Sequence, residues 1–333
     1  MAKPTKDPSR QFASILRQHR DTLDRLLDRR SVVSLKRFYD RAQDALERKL
    51  SKLVTEGRKD TMTAMQAQQL LVQVLEAQRI IAQQMASQFA PILREGMKEG
   101  VLQVDRSLVV LERQFTGASL SLPLTEAATF EGIIEKRMPS LIAANESSFK
   151  RYGAVITKAI QSELAVSLAT GETPIEAIDR IRATADLNWW QSERIVRTEM
   201  AYAYNSAHAD SIEAAHQDLR DLGKRWCELV SDTTGMPLDN RVAPDSMVLH
   251  GQVTTATGVF VMPPDARVSA TVWNKTFRSS PNRPNDRSVT MPWRPHWGIP
   301  GWEWREGQKM AIATSTETLE SLRERARLTL AGG

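Results

Sequence analysis

Apolar residues recur every three, four or seven positions across residues 10–115, and this spacing limits the possible folds more than any other feature of the chain. Residues so spaced share one face of an α-helix, because a turn holds 3.6 residues. Gly57 interrupts the pattern, and a second periodic run begins near Met62. Two long antiparallel helices joined near Gly57 would bury both apolar faces, so the sequence predicts a helical hairpin. We expect Pro91 to kink or end the second helix.

Shorter helices are expected to follow a linker at residues 116–124, a stretch rich in Ser, Gly and Pro. Gly171 should end one helix, and Thr173 with Glu176 should form a capping box at the start of the next, with Pro174 at its first position. The expected helices lie near 125–137, 140–151 and 154–169, and from about Trp190 to Leu219.

After Gly223 the helical pattern gives way to short β-rich segments separated by Gly and Pro. The expected strands are Arg225–Val230, Val248–Thr254, Val259–Met262 and Val268–Trp273. Residues 274–305 are rich in proline and tryptophan and are expected to be mostly irregular, and Thr316–Leu330 could form a closing helix.

The fold class that these patterns predict is α+β and predominantly α. A long N-terminal helical hairpin and a helical bundle precede a small, loop-rich C-terminal module that contains the strands. We divide the chain into a long helical arm region at 1–120, a second domain of helices followed by short strands at 121–305, and a C-terminal helix or tail at 306–333.

The composition fits a protein that buries a core, with 41% hydrophobic and 26% charged residues. No run of about eighteen apolar residues is present, so we expect no membrane-spanning helix. Residues 1–7 lack the apolar core of a signal peptide, so we expect synthesis and residence in the cytoplasm. The lone Cys227 cannot form an internal disulfide or a cysteine-based zinc site, and its apolar neighbours predict a buried thiol.

Basic residues outnumber acidic ones within residues 1–60 and again within 275–305, although the net charge of the chain is only +5. Basic surface attracts a phosphate backbone or an acidic protein partner. The candidates for contact with DNA or a partner are Arg278, Arg283 and Arg294. A solvated helix face with i,i+4 ion pairs is the simpler interpretation of the N-terminal segment.

The helix expected from Trp190 carries an unusual set of polar residues, Arg197-Thr198-Glu199 and then Asn205. Arg197 and Glu199 lie about 200° apart around a helix, so each needs a partner outside it. Alanines at every second or fourth position nearby allow another backbone to approach closely. We therefore interpret this helix as packing against the β segment, with its polar side chains bonding to loop backbone there.

A second set of motifs follows Trp226 along the chain. Asp and Asn favour turns, so Asp239-Asn240-Arg241-Val242 predicts a loop that Asp239 and Arg241 could hold against Arg197 or Glu199. Gly251, after Leu249 and His250, indicates a bulge or a close backbone contact.

In this order, the motifs resemble the head morphogenesis (minor head protein) family of tailed phages, the F-type proteins of Mu-like phages. The resemblance covers roughly residues 155–295. The matching positions are Arg197, Thr198, Glu199, Asn205, Trp226, Asp239, Arg241, Val242, Leu249, His250, Gly251, Pro263, Pro264, Pro284, Asn285 and Arg287.

The resemblance implies a structural minor head protein rather than an enzyme. It implies a place in the phage head interior or portal region, after assembly in the host cytoplasm. The implied partners are the portal protein and other capsid or procapsid proteins, with packaged double-stranded DNA as a further candidate in packaging or delivery. It implies no cofactor, no membrane partner and no catalytic residue.

The chain departs from the family pattern where that pattern ends in a His and two Cys. Arg283, Asp286 and Ser288 stand there instead, and Ser246 replaces a His or Cys of many relatives. We therefore expect no metal and no disulfide, and we interpret the shared residues as structural.

Two other functions stay open at this point. An enzyme acting on nucleic acid or nucleotide could use Glu199 as a base and Arg197 as an anion clamp, together with Asp239, Arg241 and His250. The chain has no nucleotide-binding glycine motif and no HExxH. A plain DNA-binding protein would show a steep salt dependence from the basic segments.

Overall fold

The computed structural model has an α+β architecture that is predominantly helical, which confirms the predicted fold class. The expected turn near Gly57, the expected helix at Thr316–Leu330, and Asp239, Arg241 and Asn285 lie outside the described residues. The structure describes residues 8–28, single helical positions between 33 and 48, and residues 62–117, 119–121, 124, 127–187, 189–228, 230, 242–264, 266, 268–284, 286–299, 301–305 and 308–312.

Six α-helices and one 3-10 turn are named here. The helices are α1 (Pro8–Asp28), α2 (Ala64–Thr116), α3 (Ala127–Thr170), α4 (Pro174–Leu187), α5 (Trp189–Ala215) and α6 (Pro244–Met247), and the 3-10 turn is Pro295–Trp297.

One prediction about helix ends was wrong: α3 is one helix where three were expected, because it continues through Pro139 and Gly153. Of the two alternatives at Pro91, a helix end is excluded, since α2 continues through it. A proline removes one backbone donor and a glycine costs about 1 kcal/mol of helix propensity. A helix of 44 residues has enough other hydrogen bonds and packing to accommodate both.

The predicted boundary between α3 and α4 is confirmed. Gly171 adopts a left-handed conformation, with φ of 70°. Thr173 and Glu176 form the expected capping box, in which Thr173 N donates to Glu176 Oε2 at 2.8 Å and Glu176 N donates to Thr173 Oγ1 at 3.4 Å. Thr63 and Gln66 form a second, unpredicted box before α2.

The strands are short and form three small antiparallel sheets. The strands are β1 (Gly223–Cys227), β2 (Val253–Thr255), β3 (Phe260–Val261), β4 (Thr276–Phe277), β5 (Val289–Trp293), β6 (Gly301–Arg305) and β7 (Gln308–Ile312). The three-stranded sheet has the order β2–β1–β5, β3 pairs with β4, and β6 pairs with β7.

The predicted strand at Val268–Trp273 was wrong, because that stretch is turn and irregular backbone. Residues 248–251 also form a turn, and the strand predicted there begins only at Val253. Strand β5 lies in the segment expected to be irregular. Its five residues are all buried, so it lacks polar–apolar alternation, and Pro292 is tolerated because β5 lies at the edge of its sheet.

Each of two compact units combines separate stretches of the chain. One contains residues 1–27, 93–138 and 197–333, and the other contains residues 28–92 and 139–196. The division at 120 and 305 stays a prediction.

Each unit has an apolar core. That of the second unit includes Leu70, Ile160 and Leu164. In the first unit, the β segment packs Trp226 against Phe260, with the two ring centroids 5.3 Å apart. None of the described helices combines the length with the apolar composition that a membrane-spanning segment requires.

Candidate functional site

Asn205 joins α5 to the edge of β5 through a fully buried carboxamide. Its Nδ2 donates to Ser288 O at 3.1 Å and to Ala201 O of its own helix at 3.0 Å. Its Oδ1 accepts from Thr290 N at 2.9 Å. The contact between this helix and the β segment that the sequence predicts is therefore present at Asn205.

His208 completes this contact one turn further along α5. Its Nδ1 lies 2.7 Å from Thr290 O, and since a carbonyl oxygen only accepts, Nδ1 carries the proton of the neutral ring. Burial lowers the pKa of His208 to about 4, so the imidazole is uncharged at neutral pH. We call the contact of Asn205 and His208 with Ser288 and Thr290 the α5–β5 joint.

The α5–β5 joint covers the open edge of the three-stranded sheet. Strand β1 pairs with one edge of β5, and Trp226 faces Thr290 in that register. Both backbone polar groups of Thr290 are bonded by side chains of α5. An unpaired strand edge invites association with another chain, so the joint also protects β5.

Helices α1 and α2 enclose the joint from the other side. His19 of α1 is fully buried, its Nε2 lies 2.5 Å from Ser107 Oγ of α2, and its ring meets that of His208 edge-on, with centroids 4.8 Å apart. Burial, and then the neighbouring His208, keep the pKa of His19 well below its usual value. The two imidazoles are therefore packed together as neutral groups.

Two glycines of α2 allow its close approach to α5. A Cβ on Gly100 would lie 2.7 Å from Tyr204 O and 3.0 Å from Ala207 Cβ, and a Cβ on Gly96 would overlap the Met200 side chain. The alanines of α5 were expected to allow close packing of another backbone. At Ala207 the element that packs closely is α2.

A second buried polar group lies where β1 ends and β5 begins. Glu228 Oε1 accepts from Trp226 Nε1 at 3.0 Å and contacts Ser288 Oγ. Ser288 Oγ also lies 2.5 Å from Asp286 Oδ1. We call Glu228, Asp286 and Ser288 the carboxyl cluster. Burial, and then the charge of Asp286, raise the pKa of Glu228 to about 8.

The turn at His250 and Gly251 closes the same region. Glu228 N donates to His250 Nδ1 at 3.0 Å, and Trp302 Nε1 donates to His250 O at 2.8 Å. Gly251 has φ of 81°, and its N donates to Trp226 O at 2.9 Å. Gly251 thus makes the close backbone contact that the sequence predicts, and His250 lies inside the structure as a hydrogen-bond acceptor.

Three of the four positions at which this chain departs from the resembled family, Ser246, Asp286 and Ser288, lie in one hydrogen-bonded network. Ser246 Oγ donates to Asn282 Oδ1 at 3.1 Å, Asn282 N donates to Asp286 Oδ2 at 3.0 Å, and Asp286 contacts Ser288. Among the residues that the structure describes, no three His, Cys, Asp or Glu side chains are arranged to hold a metal ion.

Two of the three arginines predicted to contact DNA or a partner form internal ion pairs. Arg278 contacts Asp210 at 2.6 Å and Glu213 at 2.5 Å. Arg294 contacts Glu112 at 2.8 Å and Asp221 at 2.6 Å. Contact with DNA through them stays a prediction, but it would compete with these carboxylates.

The third arginine, Arg283, is half-buried, with its Nε buried and without a hydrogen-bond partner.

Some of the remaining residues that the sequence predicts for the site lie in the first compact unit, and the others lie outside the described residues. Thr198 is buried on α5, with Arg197 and Glu199 half-buried beside it. The predicted contact of Arg197 or Glu199 with the loop at 239–241 lies outside the described residues. Arg287 O accepts from Arg20 Nη1 of α1 at 2.9 Å, and Pro284 is half-buried.

A cavity of about 290 Å³ lies beside α5. Its lining consists of Thr129, Gly132, Ile133, Lys136, Asp210, Glu213, Ala214 and Gln217. Arg197, Glu199 and His250 are not among them.

The sequence patterns did not predict a role in this site for His19, His208, Glu228 or the two glycines of α2. The spacing Gly96-x-x-x-Gly100 was a signal for close helix packing. The role of Glu228 had no local signal, because its partner Ser288 is 60 residues away.

Comparison with known proteins gives no relative: no family model, no curated protein and no solved structure matches this chain.

Proposed function

We propose that this chain is a structural minor head protein of a tailed phage, which associates with the portal or the procapsid interior during head assembly. The proposal begins from the ordered motifs between Arg197 and Arg287. The observation that carries it is the position of Asn205, a motif residue whose carboxamide is used entirely inside the α5–β5 joint.

The chemistry of the motif residues supports a structural role over a catalytic one. A catalytic group must reach a substrate, whereas Asn205, Trp226 and His250 are buried and bonded to the protein's own backbone or side chains. A rigid joint between a helix and a sheet suits a protein that has to keep its shape inside a larger assembly. Packaged double-stranded DNA is a further candidate partner under this proposal.

Mass spectrometry of purified virions and procapsids tests the proposal. We expect peptides of this chain in procapsids, virions or both, in amounts far below those of the major capsid protein. Absence from both particles would contradict the proposal.

An enzyme would give a different result with two variants. Arg197→Ala and Glu199→Ala should leave particle association intact if the protein is structural and folded. A folded variant that loses a measurable turnover on nucleic acid or nucleotide would favour the enzymatic alternative instead.

A further inference from the structure

The carboxyl cluster joins the end of β1 to the beginning of β5 through a single hydroxyl group. Ser288 Oγ contacts Glu228 Oε1 on one side and Asp286 Oδ1, at 2.5 Å, on the other. Both carboxyl groups belong to residues that are 5% exposed or less, and Ser288 is fully buried. The contact therefore lies out of reach of bulk solvent.

Counting protons shows that one carboxyl group must be protonated. Each of the two oxygen–oxygen contacts of Ser288 Oγ needs a hydrogen, and the hydroxyl supplies only one. In the part of the chain that the structure describes, the other donors to these two carboxyl groups are N–H groups: Trp226 Nε1 donates to Glu228, and the backbone N of Ser288 donates to Asp286 at 3.1 Å. Glu228 is the carboxyl group that can supply the second hydrogen, since Asp286 already accepts from the backbone N–H groups of Asn282 and Ser288.

The groups around Glu228 do not stabilise its ionised form enough to make the proton unnecessary. Asp286 adds a like charge, and His250 Nδ1 accepts from the backbone N of Glu228. Arg20 of α1 is the cation whose charge favours ionised Glu228, but burial and Asp286 outweigh it.

We propose that the β1–β5 contact is proton-dependent: the folded protein holds one proton in the carboxyl cluster at neutral pH, and the contact weakens when that proton is lost. Deprotonation would leave two buried carboxylates facing one hydroxyl, which repel each other and cannot both accept its hydrogen. The raised pKa of Glu228 agrees with this arrangement. The inference is independent of the proposed function, since it concerns the isolated chain.

The pH dependence of unfolding tests the proposal when full-length wild type is compared with Glu228→Gln. Glutamine keeps the shape of the side chain and, with its oxygen in the Oε1 position, an acceptor for Trp226 Nε1 and Ser288 Oγ, but it cannot ionise. It therefore removes the pH dependence that Glu228 contributes. Relative to the variant, the wild-type folding equilibrium constant should fall up to about tenfold per pH unit between about pH 5 and 8. Glu95→Gln, at an exposed position of α2, is the matched control and should follow the wild type.

Identical pH slopes for wild type and Glu228→Gln would overturn the proposal. If Glu228→Gln fails to fold, infrared spectroscopy of the wild type still decides. A protonated-carboxyl band should be present at pH 7 and should disappear at alkaline pH, and its absence at pH 7 would also overturn the proposal.

Discussion

Asn205 occupies a position where a carboxamide satisfies both of its neighbours on β5. Ser288 O needs a donor and Thr290 N needs an acceptor. Aspartate offers no donor when ionised, and leucine offers neither group. The identity of this residue therefore follows from two backbone groups more than 80 positions away in the sequence.

We predict that Asn205→Ala lowers the free energy of unfolding by about 2–4 kcal/mol, because it leaves two buried backbone groups without partners. Denaturant unfolding monitored by circular dichroism measures this. Asn274→Ala is the matched control, since Asn274 is exposed and, among the described residues, its side chain accepts from the neighbouring Lys275 N alone. A cost for Asn205→Ala no larger than that of the control would contradict the prediction.

Residue identity in the joint could be predicted only in part. The polar residues of α5 were expected to bond to the β segment, and Asn205 does so. No local pattern marks the role of His208, because its partner Thr290 lies 82 positions away. Pairing over such a distance depends on tertiary packing, which local periodicity does not encode.

Helices α2 and α5 approach each other closely at Gly100, where a larger residue would not fit. We predict that Gly100→Ala destabilises the protein by about 1–3 kcal/mol, because the new Cβ would lie 2.7 Å from the backbone oxygen of Tyr204.

Gly132→Ala provides the control, because nothing lies within 4 Å of a Cβ at that helical position. It should stabilise the protein by about 0.5–1 kcal/mol through helix propensity alone. Thermal melting of both variants measures the difference, and shifts of the same sign and size would argue against the close approach of α2 and α5.

Arg294 links α2 to the 3-10 turn through Glu112, which also accepts from Trp297 Nε1 at 2.9 Å. We predict that Arg294→Ala lowers stability by about 1–3 kcal/mol, because Glu112 is left buried without its main cation. Unfolding and DNA-binding measurements on one preparation distinguish a role of Arg294 in the internal ion pair from a role in contact with DNA. Unchanged stability with weaker DNA binding would favour the surface role that the sequence predicts.

Element types were easier to predict than their ends. Periodicity identified the helices, and the capping box at Thr173 fixed one boundary. The continuation of α3 through Pro139 could not be predicted, because a long packed helix absorbs a local cost. Strand β5 was missed, since a strand that is buried throughout shows no alternation.

Stability as a whole should decrease in acid, because the buried His19 and His208 must take up protons on unfolding. The folded state lowers the pKa of both groups, so the stability that they contribute is complete above about pH 6.5 and decreases as the pH falls below it. For His208, whose folded pKa is about 4, the decrease extends down to that pH. His208 alone would account for about 3 kcal/mol of this loss.

Glu228 makes stability depend on pH in the opposite direction, because folding raises its pKa. The stability that Glu228 contributes is complete below about pH 4.5 and is lost as the pH rises toward about 8. Glu228→Gln should therefore show a steeper acid loss than the wild type. Chemical denaturation from pH 4 to 7 measures both curves. Equal stability at pH 4.5 and 6.5 in Glu228→Gln would contradict the assignment of neutral buried histidines.

The α5–β5 joint is the central claim, and hydrogen exchange at the Thr290 amide tests it most directly. Because this N–H is bonded to Asn205 inside the core, it should exchange as slowly as the amides of the β1–β5 ladder in the wild type, and much faster in Asn205→Ala. Rapid exchange of the Thr290 amide in the folded wild-type protein would contradict the account.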